Sequence, residues 1–341
     1  MAQREFEIIR QYFRDSGLGF EKSGIALGIG DDCALLNPPV DQQIAISLDL
    51  LQEGVHFPAG AVADLVAYRA LAVNLSDLAA IGAEPWCFTL GLSMPDAEPL
   101  WLEAFSRGLL ELAKLHNCPL VGGDLIRGSL HIAIQVQGLV PAGKALRRST
   151  AKAGDLIYVT GTLGDAAIAL AILQAVDGTA SPLLSATAIR KLSNSQRDFF
   201  IRRFYQPDVR LAAGIALRDY ASACIDISDG LLNDLAHIVE DSGVGAELDI
   251  EQLPYSVAMQ QCVEAEHRLS AALFGGDDYE LCFTVAPEQC NAMEKSLVAL
   301  NLTVKRVGEI VSKPGIRCLD SLGDEVKISG QAFRHFAEAT Q

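Results

Sequence analysis

The stretch Ala63-Asp-Leu-Val-Ala-Tyr-Arg-Ala-Leu-Ala-Val-Asn-Leu-Ser-Asp-Leu-Ala-Ala-Ile-Gly-Ala-Glu-Pro85 has helix composition throughout, with Asp64 in its first turn and a Gly-Ala-Glu-Pro stop. Over its second half the apolar residues fall on every side, which predicts a buried helix rather than an amphipathic one. Asn74, Ser76 and Asp77 nevertheless sit in that half, with Asn74 and Asp77 three apart and so on one face. An ionised carboxylate in apolar surroundings is costly unless it is paired or holds a metal. Taken alone, Asn74 and Asp77 read as a satisfied polar pair capping a neighbouring loop. The other aspartates of the chain decide between that reading and a ligand role.

Composition bounds the rest. A chain of 341 residues exceeds one ordinary core, so two domains are expected, divided where the sequence turns polar near Arg147–Gly154: 1–148 and 149–341. Half the residues are hydrophobic, enough for packed cores. The N-terminus is charged and lacks a signal-peptide core, and the apolar run Ala166–Leu173 is too short to span a bilayer, so a soluble, cytoplasmic protein with no membrane partner is expected. The eight cysteines form no Cys-x-x-Cys pair and mostly lie in strand-like apolar runs, which reads as reduced core residues. The net charge of −16 argues against nucleic acid as a partner. It also means that phosphate substrates would need divalent cations to approach these carboxylates.

Outward from the opening helix, residues 3–16 read as an amphipathic helix with Phe6, Ile9, Tyr12 and Phe13 on its stripe. Strands are predicted at Ile44–Asp49, Trp86–Met94, Pro119–Asp124, Leu130–Val140, Asp155–Thr160 and Ala223–Ile227, and near 302–310 and 315–319. Helices are predicted at Pro99–His116, 163–175, after Gln206-Pro-Asp208, after Ser228-Asp-Gly, and at 287–300, with a Ser/Thr/Ala-rich connector up to about 194. Strands and helices mix without strict βαβ alternation, so the fold class is α+β or α/β with mixed sheets flanked by helices.

Gly138-Leu-Val-Pro-Ala-Gly-Lys-Ala145 has the spacing of a P-loop, but Ala145 replaces the Ser/Thr that would hold magnesium and no long helix follows. The aspartates carry more. Asp31 and Asp32 follow a glycine-rich turn. Asp49 and Asp124 end strands, Asp226 and Asp229 flank a strand-to-helix turn, and Asp277 and Asp278 follow Gly-Gly. Each alone is more often a turn former or helix cap. Together, with few histidines and no cysteine pairing, they suit oxygen ligation of Mg²⁺ better than zinc.

Gly28-Ile-Gly-Asp-Asp-Cys-Ala, Ser47-Leu-Asp, Gly54-Val-His-Phe, Ala72-Val-Asn-Leu-Ser-Asp-Leu-Ala-Ala-Ile-Gly-Ala, Gly122-Gly-Asp, Thr160-Gly-Thr-Leu-Gly, Ile225-Asp-Ile-Ser-Asp-Gly-Leu and Gly275-Gly-Asp-Asp-Tyr-Glu-Leu together resemble the bacterial thiamine-monophosphate kinase family, in order, from about residue 4 to about 336. That family belongs to the aminoimidazole-ribonucleotide-synthetase-like superfamily of ATP-using enzymes. The resemblance implies a two-domain fold, dimerisation through the N-terminal strands, and transfer of phosphate from ATP to thiamine monophosphate. It implies Mg²⁺ ligation by Asp32, Ser47, the Leu48 main chain, Asp49, Asp77, Asp124, Asp226 and Asp229. Implied ATP contacts are Gly123, Asp124, Arg148 and Ser228; implied thiamine-phosphate contacts are His56, Asp277 and Phe333. Leu48 stands where the family commonly has Thr, and Asp277 where it commonly has Glu.

A phosphate acceptor is mostly dianionic at neutral pH and needs no base, which agrees with the absence of any Ser/His/Asp arrangement. Asn74 and Ser76 then read as supports for Asp77. The alternatives are another ATP-using enzyme of the superfamily, such as an aminoimidazole ribonucleotide synthetase, and a non-catalytic nucleotide or thiamine-phosphate sensor.

Overall fold

A computed structural model describes residues 5–176 and 178–328; Phe333, His335 and Phe336 lie outside them. The chain forms two compact units, the first comprising Met1–Ala145 with Tyr205–Ile215 and the second Leu146–Phe204 with Ala216–Gln341. The return of Tyr205–Ile215 to the first unit was not expected from the sequence.

The first unit begins with α1 (Glu5–Ile8), which widens into a π-helical turn over Ile9–Arg14. The wider turn shifts the buried stripe to Ile8, Tyr12 and Phe13 and leaves Phe6 exposed, correcting the expected stripe. A small ribbon follows, β1 (Ile25–Leu27) with β2 (Leu35–Leu36). Then come β3 (Gln42–Gln52), α2 (Ala63–Ala80), β4 (Glu84–Met94), α3 (Pro99–Leu115), β5 (Leu120–Arg127) and β6 (His131–Pro141). The sheet runs β3-β6-β4-β5, antiparallel except for the parallel β4–β5 pair. Helix α2 packs on it, burying Leu71, Leu75 and Leu78 above Ile132, Ile134 and Val136.

Two strands are longer than the sequence suggested. Asp49 and Asp124 lie within β3 and β5 rather than at their ends, because Leu50-Leu51-Gln52 goes on pairing with β6 and Leu125-Ile126-Arg127 with β4. Strand β3 also reverses the usual alternation. Ser47 and Asp49 share a face with Val136 and Ile134, towards α2, whereas Ile44, Ile46, Leu48 and Leu50 share the other face. Ile46 is 62% and Leu50 59% exposed on that open side.

The second unit contains β7 (Leu156–Thr160), α4 (Asp165–Val176), α5 (Ala186–Lys191) and α6 (Asn194–Tyr205). After α7 (Leu211–Leu217) come β8 (Ala221–Ile227), α8 (Leu231–Ser242), β9 (Gly245–Asp249), α9 (Val257–Cys262) and α10 (Ala265–Phe274). It closes with β10 (Glu280–Val285), α11 (Cys290–Ala299), β11 (Val304–Val311) and β12 (Gly315–Leu319). The sheet order is β12-β9-β11-β7-β10-β8, with only β12–β9 parallel. Its core joins Ile157, Val159, Ile227, Leu235, Ile238 and Leu248. Helix α6 was not expected from the sequence, since arginines interrupt its apolar residues Phe200 and Phe204.

In the first unit, Gly214 of α7 lies against the end of α2, where a Cβ would come within 1.9 Å of the Ala79 carbonyl oxygen. Six of the eight cysteines are buried, Cys262 is half-buried and Cys33 is exposed. Among the described residues no helix is long and apolar enough to cross a membrane.

Candidate functional site

In the first unit the polar residues of α2 meet the polar face of β3. The Ser47 hydroxyl donates a hydrogen bond to Asp77 Oδ2. Asn74 Oδ1 accepts the Asp49 backbone N–H at 3.0 Å, and its amide donates to the Ala70 carbonyl at 2.9 Å. Asn74 therefore fixes the strand at Asp49, a correction to its expected role as a support for Asp77. Asp49 and Asp77 both resist ionisation. Burial, and then the Asp77 charge, push the Asp49 carboxyl up to about 6. Burial raises Asp77 as well, and the Ser47 hydrogen bond partly offsets it.

No group of three or more His, Cys, Asp or Glu side chains converges in metal-binding geometry among the described residues. Two half-buried carboxylates with a serine hydroxyl still form a hard oxygen donor set. Mg²⁺ is commonly held by one or two carboxylates and completed by substrate phosphates and water, so these residues fit it.

A second group surrounds a cavity of about 840 Å³ within the first unit. Asp31, Asp32, Gly123 and Asp124 line it, together with Arg10 and Arg14 from the π-helical turn. Asp31 Oδ1 accepts the Asp32 N–H at 2.8 Å in the connection between β1 and β2. Asp32, Gly123 and Asp124 are thus brought together at one cavity, whereas Ser47, Asp49 and Asp77 do not line it. Leu48 turns its side chain to the open face of the sheet. His56 sits in the turn after β3, its Nδ1 accepting the Gln52 N–H at 3.0 Å.

In the second unit, β8 carries Asp226, almost fully buried, into the Ser228-Asp229 turn. The N–H groups of Ser228 and Asp229 both donate to Asp234 Oδ2 at 3.0 Å. Burial pushes the Asp234 carboxyl up to about 7 in spite of those donors. Asp234 was missed in the sequence; its signal was an acidic residue in the first turn of the helix that follows Ser-Asp-Gly.

The loop Gly275–Tyr279 lies against the same turn. Asp277 N–H donates to the Ser228 carbonyl and Tyr279 N–H to the Ile227 carbonyl, each at 2.8 Å. A Cβ on Gly276 would come within 2.2 Å of the Ser228 carbonyl oxygen, so only glycine permits this approach. Asp277 and Tyr279 hold positive φ angles of 71° and 50°, each costing on the order of 1–3 kcal/mol. The Tyr279 hydroxyl donates to Asp277 Oδ1 at 3.2 Å.

Arg148 is half-exposed and pairs with Asp241 at 2.6 Å. Beneath the Gly275–Tyr279 loop is a buried cluster whose Asp278 the sequence singled out but whose Arg203 and Asp165 it did not. Arg203 bonds Glu280 at 2.9 Å and lies 3.8 Å from Asp165. Burial raises the Asp165 and Asp278 carboxyls, the latter well above the ordinary range.

Family models match both parts of the chain: "AIR synthase related protein, N-terminal domain" over residues 30–140 and "AIR synthase related protein, C-terminal domain" over residues 152–320. The chain is 45% identical over 341 residues to the thiamine-monophosphate kinase of Escherichia coli, covering 99% of each. The structure of a thiamine-monophosphate kinase from Stenotrophomonas maltophilia superposes with a TM-score of 0.82 at 41% identity, covering 91% of this chain and 95% of that one. AaThiL complexed with AMPPCP and TMP superposes with a TM-score of 0.73 at 27% identity, covering 88% and 89%.

Proposed function

The chain belongs to the thiamine-monophosphate kinase family of AIR-synthase-related proteins, and from that premise we propose that it transfers the γ-phosphoryl group of ATP directly to the phosphate of thiamine monophosphate, giving thiamine diphosphate and ADP. The observation that carries this reading is the Asp49–Asp77 pair: two carboxylates that resist ionisation, set by Ser47 and Asn74 on a rigid strand and helix. Such a pair stores affinity for a divalent cation.

Asp49 and Asp77, with Ser47 and the Leu48 carbonyl, would hold Mg²⁺ between β3 and α2, and Asp32 and Asp124 would offer separate carboxylates at the cavity. Asp226 and Asp229 would hold Mg²⁺ in the second unit. When bound, the cations neutralise charge on the phosphates and align the attacking and departing oxygens. The chain's own residues supply position. In this reading Gly123, Asp124, Arg148 and Ser228 would contact the nucleotide, and His56 and Asp277 the thiamine phosphate. No residue needs to remove a proton from the acceptor, because its oxygens are already ionised.

Incubation with Mg²⁺, ATP and thiamine monophosphate should yield thiamine diphosphate and ADP in equal amounts. Nucleotide binding without product would leave a sensor in its place. Transfer through a phospho-enzyme would appear as stereochemical retention at a chiral γ-phosphate, and direct transfer as inversion.

The reading includes a homodimer. Between Ile44 and Leu50 of β3, Ser47 and Asp49 face inward while Ile44, Ile46, Leu48 and Leu50 form an exposed row that suits a second copy of the same sheet. Ile46→Asp should convert a dimer into a folded monomer in sedimentation at micromolar concentration. An unchanged sedimentation coefficient would reject this surface.

A further inference from the structure

The loop that carries Asp277 is conformationally demanding, with two non-glycine residues at positive φ; it holds the buried acid Asp278 and runs directly into buried Glu280 at the start of β10. Asp278 Oδ2 accepts the Gly164 N–H at 2.7 Å. Glu280 is gripped at both oxygens, by Arg203 at 2.9 Å and by the Thr160 hydroxyl at 2.6 Å. Thr160 in turn accepts the Leu281 N–H at 2.8 Å, which locks the first residues of β10. Arg203 also reaches Asp165, which is held by Ser256 at 2.6 Å and Thr162 at 2.7 Å. A single guanidinium thus joins α4, α6 and the start of β10 beneath one loop, fully out of solvent at the carboxylates. A hydrophobic core would have served packing equally well. What a charged hub adds is a fixed orientation for the backbone above it.

We propose that Arg203 is the positioning residue of the Gly275–Tyr279 loop: by holding Glu280 and Asp165 it fixes the backbone that carries Asp277, and so sets affinity for thiamine monophosphate without touching it. The inference rests on the kinase reading and on the assignment of Asp277 to the substrate.

The test is a double-mutant cycle on the full chain with Arg203→Lys and Asp277→Asn. Arg203→Lys keeps a cation but loses the planar fork. Each single variant should raise KM for thiamine monophosphate by about tenfold while KM for ATP changes by less than about twofold. The double variant should resemble the worse single variant rather than show the ~100-fold product of independent effects. Multiplicative effects, or a parallel rise in both KM values, would show that Arg203 merely supports the fold and would overturn the proposal. Should Arg203→Lys lack a cooperative unfolding transition, Thr160→Val loosens Glu280 from its other side and carries the same cycle. Absence of turnover in the wild-type chain would remove the kinase reading and this inference together, whereas wild-type turnover with multiplicative effects removes this inference alone.

Discussion

Asp77→Asn should fold as the wild type does and lose turnover by on the order of 10²–10³-fold. The amide has the shape of the carboxylate and can still accept the Ser47 hydroxyl, so packing around α2 is preserved. Its neutrality removes a charge that burial already disfavours. Because the folded pKa is raised, the ionised form weakens the fold as pH rises through it. The variant should therefore be as stable as wild type or more so at neutral pH without Mg²⁺, while the stabilisation that Mg²⁺ gives shrinks. Asp49 adds a pH signature. In the wild type its proton competes with the cation below about pH 6, so Mg²⁺ activation should fade there. With the Asp77 charge removed, that fading should move to lower pH. Thermal unfolding with and without Mg²⁺, together with steady-state rates from pH 5 to 8, measures all three. A variant with wild-type rates would return Asp77 to a purely structural role.

Gly276→Ala should cost on the order of 3 kcal/mol of stability and most of the activity. The added carbon would stand 2.2 Å from the Ser228 carbonyl oxygen, and both sides of that contact are backbone, so no rotamer change relieves it. The two segments must part, breaking the Asp277 N–H bond to Ser228 and moving the Asp229 turn away from Asp277. Urea unfolding would read the loss. Wild-type stability would mean that the loop and the turn move independently.

Much of this was legible in the sequence. The bounds of α2 followed from its composition and its Gly-Ala-Glu-Pro stop, and the isolated aspartates beside glycines marked the segments that line the cavity and the Ser228 turn. What escaped were bonds that span long stretches of chain. Nothing near Asn74 reveals that its amide serves Asp49, 25 positions away, and nothing near Arg203 reveals Glu280, 77 positions away. The ends of β3 and β5 were misread because an aspartate followed by leucine looks like a stop, whereas partner strands kept both pairings going. Helix α6 was hidden by its arginines, of which Arg203 turned out to be directed inward. Local pattern shows where chemistry-bearing residues lie; which of them meet is decided by sheet order, which no single segment encodes.

The return of Tyr205–Ile215 to the first unit also orders events in time. During synthesis the last turn of α2 emerges about 125 residues before the segment that carries Gly214 and covers it. At 5–20 residues per second that is a wait of roughly 6–25 s. The nascent first unit must keep an apolar helix end out of wrong contacts until most of the second unit's first half has been made. A ribosome-bound chain stopped before residue 205 should therefore expose a chaperone-binding surface that disappears once residue 215 has cleared the exit tunnel.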